Sequence, residues 1–271
     1  RYGFNNPDNQ WDFNEVEYLL LGDSFLHGAC VNRPNDISSV IRELSNKIVL
    51  NLGMSGNSTL IQYATLREYA LKKKIKNIIV FFYEGNDLNE LNKELSNKIL
   101  LNYLYDKKFV QNLKLKQNFI NDKIKKEIDK DFRNAKLDPR SIIIEFLKLY
   151  NLRNYYYSHN QLKQKNDKVS DEFKKIFNLM KEFSLDNNSK LSFVYMPEYL
   201  RYNKKKYKNS NYEKIISICR ELNIEFLDLT KEVFDKEETP LNMWVFGLPN
   251  HYNVYGYNKI ANFVYNSTKQ E

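Results

Sequence analysis

No stretch of the 271 residues approaches the ~18 to 20 consecutive apolar residues of a membrane-spanning helix, so the sequence in hand encodes no such span. Cysteine is scarce as well. Cys30 and Cys219 lie far apart and form neither a CxxC pair nor a metal-ligand spacing, which excludes a zinc ribbon or a dithiol redox motif. They form one disulfide or, the favoured reading, two free thiols, so cysteine usage leaves the redox compartment undecided. Histidine occurs only three times, as His27, His159 and His251, so a histidine base has few candidates. No internal repeat is present, and neither metal nor cofactor is expected. The first residue is Arg1 rather than Met, which reads as a trimmed start and leaves an upstream signal peptide or membrane anchor open.

Apolar residues make up 42% of the chain and aromatics 14%, enough for a sizeable core. The net charge is +8. Its lysines are dispersed, with short clusters at Lys72–Lys74 and Lys204–Lys206, and many of the aromatics sit inside apolar runs. Solvated helix faces explain this better than a nucleic-acid surface, which needs one basic face interleaved with stacking aromatics. No nucleic-acid partner is expected.

Five short apolar runs punctuate the chain: Val16–Gly22, Lys47–Gly53, Lys76–Gly85, Lys190–Pro197 and Ile224–Thr230. Each is continuous rather than alternating, the pattern of strands covered on both faces. Helical segments are expected near 34–46, 58–74, 170–186, 209–222 and 253–268. Repeated β–α units imply an α/β fold with a parallel, doubly wound sheet. The Lys-, Asn- and Leu-rich stretch from about 88 to 170 breaks this rhythm and reads as a helical insertion after the third strand, either a lid over the site or structural padding. The expectation is a single domain over 1–271 carrying that insertion.

Ligands of such sheets bind beyond the carboxyl ends of the strands. The first strand is followed by Gly22-Asp23-Ser24, the second by "NLGMSGNS" and the third by Glu84-Gly85-Asn86-Asp87; His251 precedes the last helix. These parts suit acyl transfer. Ser24 needs a base to become nucleophilic, and His251 is the best candidate. The backbone N–H groups of Ser24 and Gly56 and the Asn86 amide are candidate oxyanion donors, one such donor being worth ~3 to 4 kcal/mol in the transition state. Singly, each signal is an ordinary turn or cap. In this order, at these strand ends, they point to one site. His27 stands three residues after Ser24 and reads as a helix-surface or pocket residue, and His159 is assigned no role.

The text "LLLGDSF", "NLGMSGNS", "FFYEGND" and "HYNVYGYNKIA" resembles the four blocks of the SGNH hydrolase superfamily, also called the GDSL family. The letters S, G, N and H fall on Ser24, Gly56, Asn86 and His251, and the resemblance covers about 16 to 268 without the insertion. It implies a flavodoxin-like three-layer α/β/α sandwich with a five-stranded parallel sheet, Ser24 as nucleophile, His251 as base, and Ser24, Gly56 and Asn86 as the oxyanion hole. The opening "RYGFNNPDNQWD" is similar to the segment preceding the domain in a bacterial subgroup that often carries an anchor or export signal. An extracytoplasmic location, periplasmic or membrane-anchored, is therefore favoured over the cytoplasm.

Two positions depart from the family pattern. Leu248 stands where an Asp three residues before the histidine orients the ring, and Glu84 replaces the first Gly of the third block. Disabling the carboxylate of a serine triad costs on the order of 10⁴ in rate. A main-chain carbonyl near Leu248, or Glu84 itself, is a candidate replacement; a substrate-binding or structural role for Glu84 is the equal alternative. Asp23 and Asp87 are expected to brace the loops. The leading expectation is a serine esterase or O-acyltransferase acting on acetyl or acyl esters of carbohydrate, with a small-molecule or glycan ester as its partner. A lipolytic esterase or thioesterase, and a catalytically silent binding domain of the same fold, are the alternatives.

Overall fold

The computed structural model describes residues 1–134, 167–204 and 207–269. All five expected strands are present: β1 (Glu15–Leu21), β2 (Val49–Asn51), β3 (Lys74–Tyr83), β4 (Lys190–Met196) and β5 (Glu225–Asp228). They pair in parallel in the order β2-β1-β3-β4-β5. The register sets Leu20 beside Asn51, Leu21 beside Val80 and Tyr83 beside Met196. Leu19, Leu20, Leu21, Ile78, Val80, Phe81, Phe193 and Val194 are buried, as continuous apolar runs require.

The helices close the two faces. After β1 comes the single turn α1 (Ser24–His27), then α2 (Ile37–Ser45); α3 (Thr59–Ala70) follows β2. Beyond β3 lie α4 (Asp87–Glu94), α5 (Lys98–Tyr105), α6 (Gln117–Asn134) and α7 (Asp171–Asp186). After β4 come α8 (Tyr199–Asn203) and α9 (Asn211–Glu221), and after β5 α10 (Leu229–Glu232) and the last helix, α11 (Val254–Thr268). Right-handed crossovers send the β1→β2 connection to one face and the rightward connections to the other. The packing agrees: α2 lies against α11, and α3 against α7. The direction of strand order reverses at β1, so the crevice between the carboxyl ends of β1 and β3 is the topological switch point.

The opening segment has a structural task. Asn6 accepts the Asn51 N–H (2.9 Å) and donates to the Asn51 carbonyl (2.8 Å), and Gln10 accepts the Val49 N–H (3.2 Å). Two side-chain amides thus satisfy backbone groups of edge strand β2 that would otherwise be left unpaired. Both cysteines are free thiols, Cys30 exposed and Cys219 buried.

The sequence reading makes 1–271 one domain, with an insertion over about 88–170. By its contacts the chain divides into two compact units, one of residues Gly3–Val110 with Lys165–Glu271 and one of Gln111–Gln164. Thus α4 and α5 belong to the sheet-bearing unit. Tyr103 of α5 donates to Glu68 of α3 at 2.5 Å, and Arg67 of α3 donates to the Lys107 carbonyl just beyond α5. Of the second unit, α6 and the turn Leu113–Lys116 before it are described. The remainder of the expected insertion, His159 included, lies outside the described residues, and so does the lid reading of it.

Candidate active site

Gly22 ends β1 because nothing larger fits: a Cβ there would lie 2.7 Å from Leu26 Cβ and 3.2 Å from Phe81 Cβ. Asp23 then caps α1, its Oδ1 accepting the Phe25 N–H at 2.9 Å. Gly28 closes the turn at φ +87°, with no room for a Cβ against Asp36. This one-turn helix presents Ser24 at its first position, half-buried. His27 does not pair with it. The His27 ring faces the Gly53 carbonyl (Nδ1–O 3.2 Å), bracing the α1 turn against the loop after β2.

The histidine that meets Ser24 comes from the far end of the chain. His251 Nε2 lies 2.7 Å from Ser24 Oγ. His251 Nδ1 lies 3.0 Å from Asn250 Oδ1, and the same oxygen accepts the His251 backbone N–H at 2.8 Å. A backbone N–H can only donate, so the Asn250 atom facing it is the oxygen and not the amide nitrogen. That oxygen in turn requires a proton on Nδ1, which leaves Nε2 bare to accept the serine hydroxyl. The ring is further held by Phe25, whose centroid is 4.5 Å away and which itself stacks on Tyr83 at 3.9 Å. Burial against this cluster lowers the His251 pKa and keeps the ring neutral.

Both suggested replacements for the missing Asp are therefore corrected. The partner of Nδ1 is the Asn250 side chain, not a main-chain carbonyl near Leu248, and not Glu84. The Glu84 carboxylate is fully buried and ion-paired with Arg201, whose Nη2 reaches Oε1 and whose Nε reaches Oε2 at 2.9 Å. It also accepts from Asn209 (2.5 Å) and the Glu198 N–H (3.0 Å). Although burial opposes its charge, Arg201 and these donors hold its pKa below the usual carboxylate range. This fork ties the end of β3 to α8 and the segment before α9, and α8 reaches the histidine loop through Tyr199, which donates to the Gly247 carbonyl at 3.0 Å. Tyr252, next to His251, donates to the Pro197 carbonyl just ahead of α8 (2.7 Å).

The two candidate oxyanion loops are tied together below the site. Gly56 is exposed at φ +78°, a backbone conformation that disfavours other residues, and the space where a Cβ would stand is open. Two residues on, Ser58 donates to the Asp87 carbonyl at 2.6 Å. Glu94 accepts the Ser58, Leu60 and Ile61 N–H groups at 2.5, 3.0 and 3.2 Å, which caps α3 from the end of α4. Its burial pushes its pKa up to about 7. Asn86 precedes α4, and its amide favours the ionised form of Asp23, which burial pushes up to about 6. Asp87 is buried, accepts the Tyr83 N–H at 2.8 Å and is raised well above the usual carboxylate range by burial and by Asp23. Asp23 and Asp87 thus each accept a backbone N–H of the loops around the site. Sequence reasoning missed Glu94, which falls in the expected insertion, and Asn250, although its place directly before the histidine was a usable signal. No group of three or more His, Cys, Asp or Glu among the described residues could hold a metal.

No family model and no curated protein matches the sequence. Solved structures do match the fold. An acetylxylan esterase from Geobacillus stearothermophilus superposes with a TM-score of 0.51 at 13% identity, covering 94% of this chain and 95% of that one. A member of the lipolytic G-D-S-L family from Veillonella parvula DSM 2008 gives 0.51 at 12% identity, covering 94% and 100%. A lipase/acylhydrolase from Enterococcus faecalis gives 0.50 at 14%, covering 94% and 100%. The fold is that of the SGNH hydrolases. Within it, the SGNH letters of this chain stand after β1, after β2, after β3 and before the last helix, and the sheet brings the first and last of them into hydrogen-bond contact.

Proposed function

We propose that the chain is a serine-dependent acyl ester hydrolase of the SGNH superfamily, acting on acetyl or short acyl esters of carbohydrate through an acyl-serine. The observation that carries this reading is the 2.7 Å contact between Ser24 Oγ and His251 Nε2, with Asn250 Oδ1 facing Nδ1 at 3.0 Å. Ser24 Oγ attacks the ester carbonyl while His251 Nε2 takes its proton. The carbonyl oxygen, now negative, is met by the N–H groups of Ser24 and Gly56 and by the Asn86 amide. His251 returns the proton to the departing alcohol, and the same nitrogen then activates a water that releases the acid and restores Ser24. A sugar hydroxyl in place of that water would make the reaction a transfer.

A silent binding domain is disfavoured because the group that replaces the missing carboxylate is present and correctly polarised. The test combines turnover of p-nitrophenyl acetate with labelling by a fluorophosphonate probe, each on wild type and Ser24→Ala. Turnover and labelling that vanish in Ser24→Ala are expected; neither in wild type would refute the serine mechanism. Products formed with and without an added glycan acceptor separate hydrolysis from transfer.

A further inference from the structure

The loop that delivers His251 carries a second feature the reaction does not use. Its base is fixed: Trp244 and Tyr252 form an antiparallel bridge with their rings 5.1 Å apart, and the Val245 N–H donates to the His251 carbonyl at 3.2 Å. At its tip the Leu248 N–H donates to the Val245 carbonyl at 3.1 Å, closing a tight turn whose two central residues are Phe246 (φ 56°, ψ 20°) and Gly247 (φ 63°). Positive φ at both central positions defines a type I′ turn, which Asn, Asp and Gly occupy readily. A bulky aromatic there is a backbone outlier. Phe246 is also 91% exposed, the most exposed large hydrophobic residue among those described. An exposed Phe alone means little. Here exposure and backbone strain coincide on one residue, which stands five positions from the base on the same short loop. Neither is compensated by packing, so the compensation is sought in a ligand.

The exposed groups of the candidate site argue for one class of ligand. Ser55, Gly56, Asn250 and Cys30, which carry or adjoin the site groups, are exposed and small or polar. Their apolar neighbours Met54, Leu248 and Pro249 are only partly exposed. One aromatic face among hydrogen-bonding groups matches a sugar ring, whose C–H face is apolar and whose rim is hydroxylated. We propose that Phe246 is the stacking platform of a carbohydrate subsite, holding the ring that bears the scissile ester; this rests on the esterase reading above.

The test compares Phe246→Asn, Phe246→Ala and Phe246→Trp with wild type on acetylated xylo-, manno- and chito-oligosaccharides, p-nitrophenyl acetate and p-nitrophenyl octanoate. Phe246→Asn and Phe246→Ala are expected to lose about tenfold more kcat/KM on at least one oligosaccharide acetate than on p-nitrophenyl acetate, chiefly through KM, and Phe246→Trp to keep it. Phe246→Asn should also raise Tm by about 2 to 4 °C, because Asn relieves the turn. Equal losses on all esters, a larger loss on the octanoate, or a lower Tm in Phe246→Asn would each overturn the subsite. If the wild type turns over no ester, the esterase reading fails by itself. Calorimetric titration with the unacetylated oligosaccharides then decides the platform alone: saturable binding that Phe246→Asn abolishes supports it, and no binding to wild type overturns it.

Discussion

Replacing Asn250 by Asp isolates what a neutral orienting group does in this site. Asn250 Oδ1 is 3.0 Å from His251 Nδ1, and a carboxylate oxygen in its place keeps the hydrogen bond while adding a full negative charge. Two unit charges about 4 Å apart interact by about 1 kcal/mol in water and about 4 kcal/mol at the effective dielectric of a protein surface. Asn250 is exposed, so the lower part of that range applies, about 1 to 2 kcal/mol. One pKa unit corresponds to about 1.4 kcal/mol, so the acid limb of kcat/KM should move up by about one unit. The same interaction stabilises the imidazolium that forms as Ser24 attacks, so the plateau rate above pH 8 should rise roughly 5- to 30-fold.

The sign of the acid limb is the discriminating feature. Burial already lowers the His251 pKa, so the wild-type acid limb should lie below that of an ordinary imidazole. Asn250→Asp gains in the alkaline range, and the gain shrinks to nothing below the acid limb, where the raised pKa cancels it, so the two profiles converge at low pH. Asn250→Ala removes the acceptor altogether, frees the ring to hold its proton on Nε2 and should cost at least a hundredfold at every pH. The assay is p-nitrophenyl acetate hydrolysis from pH 4 to 9 on all three proteins. Parallel profiles for wild type and Asn250→Asp, or full activity in Asn250→Ala, would refute the assignment of Asn250.

Stability should fall as pH rises. Asp23 is pushed up to about 6 and Glu94 up to about 7, against ordinary values near 4. Carboxyls raised in the folded state contribute fully when protonated, below about pH 4, and that contribution is lost as pH climbs through 6 to 7. Urea midpoints should therefore decline from pH 5 to pH 8, and Glu94→Gln should make the decline shallower; an unchanged slope in the variant would count against Glu94 as a contributor. Glu84→Gln should leave the acid limb of kcat/KM in place, because Glu84 faces Arg201 and not His251. Glu84→Ala strands the Arg201 guanidinium and should lower stability by about 3 to 5 kcal/mol in chemical denaturation.

The strands were legible because a parallel sheet buries both faces, so each writes itself as an unbroken apolar run bounded by Gly, Asn or Pro. That Ser24 and His251 stand at one place was legible for a related reason: in a doubly wound sheet ligands bind at the strand ends, and the strand ends were known. The partners of side chains were not. Arg201 is 117 residues from Glu84, and nothing local in either segment announces the pair. A carboxylate at the end of a central strand reads equally as a relay, a substrate contact or half of an ion pair until its neighbour is seen. Glu94 was hidden differently, by assignment to an insertion when it in fact caps α3 within the sheet-bearing unit.

The histidine-orienting group shows why a missing residue is a poor guide to a missing function. The usual pattern places the orienting Asp three residues before the base, and Leu248 breaks it. The requirement on that group is an acceptor fixed in space, and Asn250 meets it by a different local route. Its side chain folds back onto the N–H of the residue it orients, which fixes the amide oxygen and aims it at Nδ1 in one motif of two consecutive residues. Orientation is thereby kept and charge is given up. That division predicts a weaker base that works at lower pH rather than an inactive one, which is why the pH profile of Asn250→Asp, more than its rate at any single pH, tests whether the site is built as described.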